Sequence, residues 1–97
     1  MKELTTAEVE KMRRDEQIEI IDVREAFEVA LGTIPGATHI PLGQIEARLD
    51  HFKRDKTYVI ICRSGNRSGV VTQYLEACGI DAYNMIGGMI DWQGTME

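Results

Sequence analysis

The chain's pattern predicts an α/β fold, a central and mainly parallel sheet with helices on both faces. Two observations carry that expectation. First, apolar, β-branched runs of strand length, 18–23 and 57–61 above all, alternate with stretches whose apolar residues recur at helical spacing. Second, the alternation runs from end to end without a repeat, a low-complexity tract or a linker. Strands that alternate with helices imply a parallel sheet covered on both sides. At 97 residues the chain is a single domain, 1–97, large enough for one core and too short for two.

The elements follow in order. Leu4-Thr5-Thr6-Ala7-Glu8-Val9 holds a capping box, with Thr5 as N-cap and Glu8 three residues on, and Leu4 and Val9 are spaced as its hydrophobic staple. A short helix should run from there to about Arg14. Residues 18–23 form a buried strand. Residues 25–31 read as a helix with Phe27, Ala30 and Leu31 on one side and Gly32 as its stop. Pro35-Gly36 marks a turn, and 37–40 a short strand. Leu42, Ile45 and Leu49 give one apolar helix stripe. Residues 57–61 are the strongest strand. Val70, Val71, Tyr74, Leu75 and Cys78 line a helix that Gly79 ends, 81–85 make a last strand, and Gly87-Gly88 leads into a short helix containing Trp92.

Composition narrows the function classes. With 43% hydrophobic and 28% charged residues the chain is an ordinary globular one. Its net charge of -5 argues against nonspecific nucleic-acid binding. Its apolar runs are far shorter than a membrane span, and the N-terminus carries no apolar signal region, so a cytoplasmic protein with no membrane partner is expected. The two cysteines, with fifteen residues between them, form neither a metal pattern nor a redox Cys-x-x-Cys. A Cys62–Cys78 disulfide is possible by count, and a reducing compartment disfavours it.

The chemistry is expected at Cys62. Ligands of open parallel sheets bind beyond the carboxyl ends of the strands, and Cys62 sits at that end of the strongest one, before a loop and a helix. Arg63-Ser64-Gly65-Asn66-Arg67 is short, and Gly65 permits the backbone angles of a tight curl. Such a curl turns several N–H groups inward, and the following helix adds the positive end of its dipole. A thiolate there is stabilised; comparable placements lower a cysteine from about 8.5 to roughly 3.5–7.5. A cysteine that ends an apolar strand is otherwise an inert buried thiol. The polar, twice-cationic segment after Cys62 favours reactivity, whereas Cys78, on an apolar helix stripe, reads as packing. Asp22 and Arg24 lie at the same end of another strand, and Arg24, Arg63 and Arg67 are placed to converge.

These residues together resemble a single-domain rhodanese, a sulfurtransferase module, over nearly the whole chain. The resemblance is carried by Ile21-Asp22-Val23-Arg24-Glu25, Ile34-Pro35-Gly36-Ala37, Ile40-Pro41-Leu42, Cys62-Arg63-Ser64-Gly65-Asn66-Arg67-Ser68, and Gly87-Gly88-Met89 with Trp92. It implies a rhodanese-like three-layer fold and a double displacement: the Cys62 thiolate takes the outer sulfur of a donor such as thiosulfate as a persulfide. A thiol acceptor, including a protein thiol, or cyanide in an assay, then removes it. It implies that the amides of Arg63, Ser64, Gly65, Asn66, Arg67 and Ser68 hold the anionic persulfide, that Arg63 and Arg67 favour an anionic donor, and that no cofactor or metal is needed. The alternative for either arginine is a surface ion pair worth about 0–1 kcal/mol, and Arg67, which opens the helix, is the more structural of the two. Asp22 and Arg24 match the family's first-strand motif as buttresses of the loop, against a plain reading as N-cap and exposed charge. Gly87 and Gly88 allow close backbone approach near the site, and Trp92 belongs to the core. Thr33 stands where many relatives have His, which removes any general base there, and neither His39 nor His51 receives a catalytic role.

Two other functions compete. Phosphatases and arsenate reductases of the same fold resemble a Cys-x5-Arg loop that encircles a tetrahedral oxyanion, whereas here four residues, Arg63 to Asn66, separate Cys62 from Arg67. The smaller ring suits one sulfur atom. The second alternative is a persulfide carrier that hands sulfur to a protein partner with little free turnover.

Overall fold

The computed structural model describes residues 1–97. Five strands, β1 (Glu3–Leu4), β2 (Ile18–Asp22), β3 (Thr38–His39), β4 (Thr57–Ile61) and β5 (Asp81–Met85), form one sheet in the order β1-β5-β4-β2-β3, and every pairing is parallel. Helices α1 (Thr6–Met12), α2 (Ala26–Val29) and α3 (Asn66–Ala77) connect them, with 3-10 turns at Leu42–Gln44, Leu49–His51 and Met89–Asp91.

Successive strand residues point to opposite faces, and the two faces carry two cores. On one, Ile21, Ile60 and Ala82 meet Val71 and Leu75 of α3 together with Ile45 and Phe52. On the other, Ile20, Val59, Ile61 and Met85 meet Val9 of α1, Ile34 and Trp92. Each fully buried Ile or Leu contributes about 1.5–3 kcal/mol relative to exposure. Tyr58 is buried without penalty, because the Lys53 amide donates to its hydroxyl at 2.7 Å and its ring packs edge-on against Phe52.

The N-terminal reading holds in detail. Thr5 Oγ1 accepts the Glu8 amide at 3.2 Å, the Glu8 carboxylate accepts the Thr5 amide at 2.8 Å, and Leu4 and Val9 share one core cluster. Gly79, with φ +82, ends α3 beyond its Cys78 cap, and Trp92 is buried with its indole N–H on the Thr95 carbonyl at 3.0 Å.

Three expectations need correction. The helix expected over 25–31 is only Ala26–Val29, and its apolar side is not core: Phe27 is 72% and Leu31 85% exposed. The Arg24 guanidinium takes the carbonyls of Glu28 and Gly32, which stops the helix after one turn. The single stripe through Leu42, Ile45 and Leu49 is two 3-10 turns, and only Ile45 is deeply buried. Gly43 favours helix weakly, and the Leu42 amide is pinned to the Val23 carbonyl at 3.0 Å, which tightens the coil onto the sheet. On α3, Val70 is 62% exposed, so the buried stripe runs through Val71 and Leu75 without it. Strand β1 is an addition: its two residues extend the sheet beside β5.

Candidate active site

Cys62 follows β4, the middle strand, with β2 and β5 on either side. The register sets Asp22 opposite Ile61 and Asn84 opposite Ile60, so each neighbouring strand delivers a buried polar residue beside the cysteine's strand end. The chain leaves Cys62 in the curl the sequence predicts. Gly65 caps α3 with φ +101 and no side-chain cap. The Gly65 amide donates to Cys62 Sγ at 3.1 Å, and Ser68 Oγ lies 3.2 Å from the same sulfur. Burial pushes the Cys62 thiol up. The Ser68 hydroxyl and the amides of Ser68, Gly65 and Ser64 more than offset this and hold it below the ordinary thiol range.

A second segment packs beneath the loop. The Met89 amide donates to the Cys62 carbonyl at 2.9 Å and the Ile90 amide to the Arg63 carbonyl at 3.0 Å. This contact needs glycine at 88: its φ is +64, and a Cβ there would strike the Arg63 carbonyl. The close backbone approach expected of Gly87 and Gly88 is therefore present at Gly88, while a Cβ at Gly87 would meet the Asp91 side chain.

The three arginines gather at one end of the molecule, but their charges are not equally free. Arg24 is buried and grips the Asp22 carboxylate through Nε and Nη2, at 3.0 and 2.8 Å. Asp22 also accepts the Thr33 hydroxyl at 2.8 Å. The plain reading of these two as N-cap and exposed charge is corrected, since Glu25 is the N-cap of α2 and Arg24 is 6% exposed. Arg67 makes a bidentate pair with Glu28, at 2.7 and 2.8 Å, and that bond draws the Glu28 carboxyl down to about 2. Arg63 is exposed and makes no ion pair. It lines a depression of about 260 Å³ with Arg24, Glu28, Leu31, Met89 and Ile90. Of the two arginines expected to draw an anionic donor, Arg63 alone keeps its charge for that purpose; Arg67 is occupied by Glu28.

Among the remaining polar residues, His39 donates to the Arg24 carbonyl at 2.7 Å and His51 bonds Glu19 at 2.6 Å. Cys62 and Cys78 are both free thiols, and Cys78 packs against the first core. No group of three or more His, Cys, Asp or Glu side chains comes together as a metal site. No helix is long and apolar enough to cross a membrane.

Two residues of the site were missed in the sequence. Glu28 repeats the capping-box spacing with Glu25, which hides its bond to Arg67. Asn84 is a lone amide in an otherwise apolar strand end, a visible signal whose meaning depends on the neighbouring strand. It donates to the Gly65 carbonyl at 3.1 Å and accepts from the Ser68 hydroxyl.

Comparison with known proteins bears on the family and the fold. The model of the rhodanese-like domain family matches residues 5–95. A Bacillus subtilis protein named "Putative sulfurtransferase YtwF" is 47% identical over 98 residues, covering 100% of this chain and 95% of that protein. "Putative sulfur carrier protein YrkF" of the same organism is 38% identical, over 91% of this chain and 48% of its own length. The crystal structure of a rhodanese-like domain protein from Staphylococcus aureus superposes with a TM-score of 0.93 at 41% identity, covering 100% of this chain and 97% of that one.

Proposed function

This chain belongs to the rhodanese-like domain family, and from that premise we propose that it transfers sulfane sulfur through a persulfide on Cys62. Relatives named sulfurtransferase and sulfur carrier support sulfur transfer in general. One observation carries the specific assignment to Cys62. Its buried sulfur faces the Gly65 amide at 3.1 Å and the Ser68 hydroxyl at 3.2 Å, and is held below the ordinary thiol range.

The chemistry follows from that arrangement. The Cys62 thiolate attacks the outer sulfur of a donor such as thiosulfate. A Cys62 S–S bond forms while the donor's S–S bond breaks, and its electron pair leaves with sulfite. The negative charge now sits on the outer sulfur of the persulfide, and the amides of residues 63–68 stabilise it without a general acid or base. Arg63, exposed and without an ion pair, attracts an anionic donor. An acceptor thiolate, or cyanide, removes the outer sulfur and regenerates the Cys62 thiolate. Phosphate chemistry is a poorer fit, since the Arg67 guanidinium that would close an oxyanion ring is taken by Glu28.

A carrier that discharges to a protein thiol is a second reading. It is favoured by the apolar side chains beside Arg63, with Leu31 and Ile90 both well exposed. Assay with thiosulfate and cyanide, with transfer to thiol proteins run in parallel, separates the two. Cyanide turnover that vanishes in Cys62→Ser and persists in Cys78→Ser is the expected result. Transfer to protein thiols alone would favour the carrier. Cys62-dependent hydrolysis of an aryl phosphate, with no response to thiosulfate, would overturn both.

A further inference from the structure

Beside Ser68 and Cys62 lies a buried amide, Asn84, whose place there sulfur transfer, as derived above, leaves unexplained. Ser68 and Asn84 are buried, at 0% and 3% exposure, and so is Cys62, at 1%. Burial of Ser68 and Asn84 leaves their polar atoms to be satisfied mainly by one another and by the loop. Asn84 Nδ2 lies 3.1 Å from the Gly65 carbonyl oxygen. A carbonyl only accepts, so this contact fixes the amide's orientation and leaves Oδ1 facing Ser68 as an acceptor. The Ser68 hydroxyl has one hydrogen and two acceptors competing for it, Asn84 Oδ1 and Cys62 Sγ.

The outcome depends on the charge of the sulfur. When Cys62 is a neutral thiol, its S–H points to the Ser68 oxygen and the hydroxyl hydrogen stays on Asn84. When Sγ is anionic, a charge-assisted bond outcompetes a neutral one; the hydrogen swings to sulfur and Oδ1 loses the Ser68 hydroxyl as its donor. When Sγ is the inner atom of a persulfide, the negative charge has moved to the outer sulfur and the hydrogen returns to Asn84.

We propose that Asn84 is a positioning residue of this site: it competes with Cys62 for the Ser68 hydroxyl hydrogen and so favours the states in which Sγ is neutral, the thiol and the persulfide, over the bare thiolate. This assignment rests on the reading of Cys62 as the sulfur carrier. Asn84 acts through Ser68 and needs no contact with donor or acceptor. It thereby biases the first half-reaction toward the loaded protein. The nearby charges leave this balance intact: Arg67, whose guanidinium feels the Cys62 charge, is paired with Glu28, and Arg24 is closed on Asp22.

The test is a double-mutant cycle in a Cys78→Ser background, where Cys62 is the only thiol. The parent, Asn84→Leu, Ser68→Ala and the double variant are titrated by thiolate ultraviolet absorbance and checked for folding by circular dichroism. Asn84→Leu should free the hydroxyl for sulfur and lower the midpoint by about 0.5–1 pH unit. In the Ser68→Ala background the same change should shift it by less than a third as much. A merely structural Asn84 would loosen the Gly65 curl, so an upward shift, or equal shifts in both backgrounds, overturns the proposal. If Asn84→Leu does not fold, Asn84→Ala is read by the same two criteria. Thiosulfate loading of the parent is followed separately by intact mass. Absence of loading there would sink the sulfur-carrier reading, while the titration cycle would still report whether Asn84 competes for the hydrogen.

Discussion

At the scale of single residues, the site is a set of charges that are each answered, Arg63 excepted. Asp22 answers Arg24, Glu28 answers Arg67, and the loop amides answer Cys62. The Glu28–Arg67 pair makes a prediction of its own. Glu28 titrates at about 2 in the folded chain, because Arg67 bonds its carboxylate, against about 4.3 when unfolded. A depressed carboxyl contributes stability that is fully present above the unfolded value and lost as pH falls through the folded one. Glu28→Gln should therefore destabilise by about 0.5–1 kcal/mol at neutral pH. The gap should close between about pH 4.3 and about 2, as read by urea denaturation across that range. A gap that stays constant with pH would mean that the pair adds nothing. The tight curl after Cys62 was legible in the sequence, because a short polar run with Gly65 after an apolar strand can turn sharply there. Glu28 was not, since nothing local tells a capping carboxylate from one that reaches an arginine 39 positions on.

At the scale of elements, the outcome divides by how local the determining interactions are. The α1 cap and staple lie within six residues, from Leu4 to Val9, and were readable in full. Helix α2 was misjudged because Phe27 faces outward and Leu31, past the helix end, lines the rim beside Arg63 rather than the core, which periodicity alone does not distinguish. Strand β1 has two residues, too few for any pattern, and exists because β5 offers it an edge. The glycine pair after β5 was legible as a close approach, and it can be tested by contrast. Gly36 and Gly88 both have positive φ, but a Cβ at Gly36 meets nothing within 4 Å, while one at Gly88 meets the Arg63 backbone. Gly36→Ala should cost about 1 kcal/mol from strain alone and leave sulfur loading intact. Gly88→Ala should cost more, about 2–3 kcal/mol, and slow loading by displacing the Cys62 curl. Equal stability losses with unchanged loading in both would show that the Gly88 contact does not position the site.

At the scale of the whole molecule, the parallel sheet and its two covered faces followed from the alternation of strand and helix patterns. The strand order did not. The placing of β4 between β5 and β2 brings Asn84 and Asp22 to either side of the Cys62 strand, and that depends on long-range pairing that no sequence window contains. The consequence is functional. The middle strand delivers the sulfur, one neighbour delivers the closed Asp22–Arg24 pair, and the other delivers the amide that contests the Ser68 hydrogen. The central claim, that this arrangement makes Cys62 the atom that takes up sulfur, is tested most directly by intact-mass spectrometry after incubation with thiosulfate and removal of excess donor. Wild type and Cys78→Ser should each gain the mass of one sulfur atom, and Cys62→Ser should gain none. Sulfur retained by Cys62→Ser and lost from Cys78→Ser would contradict the account.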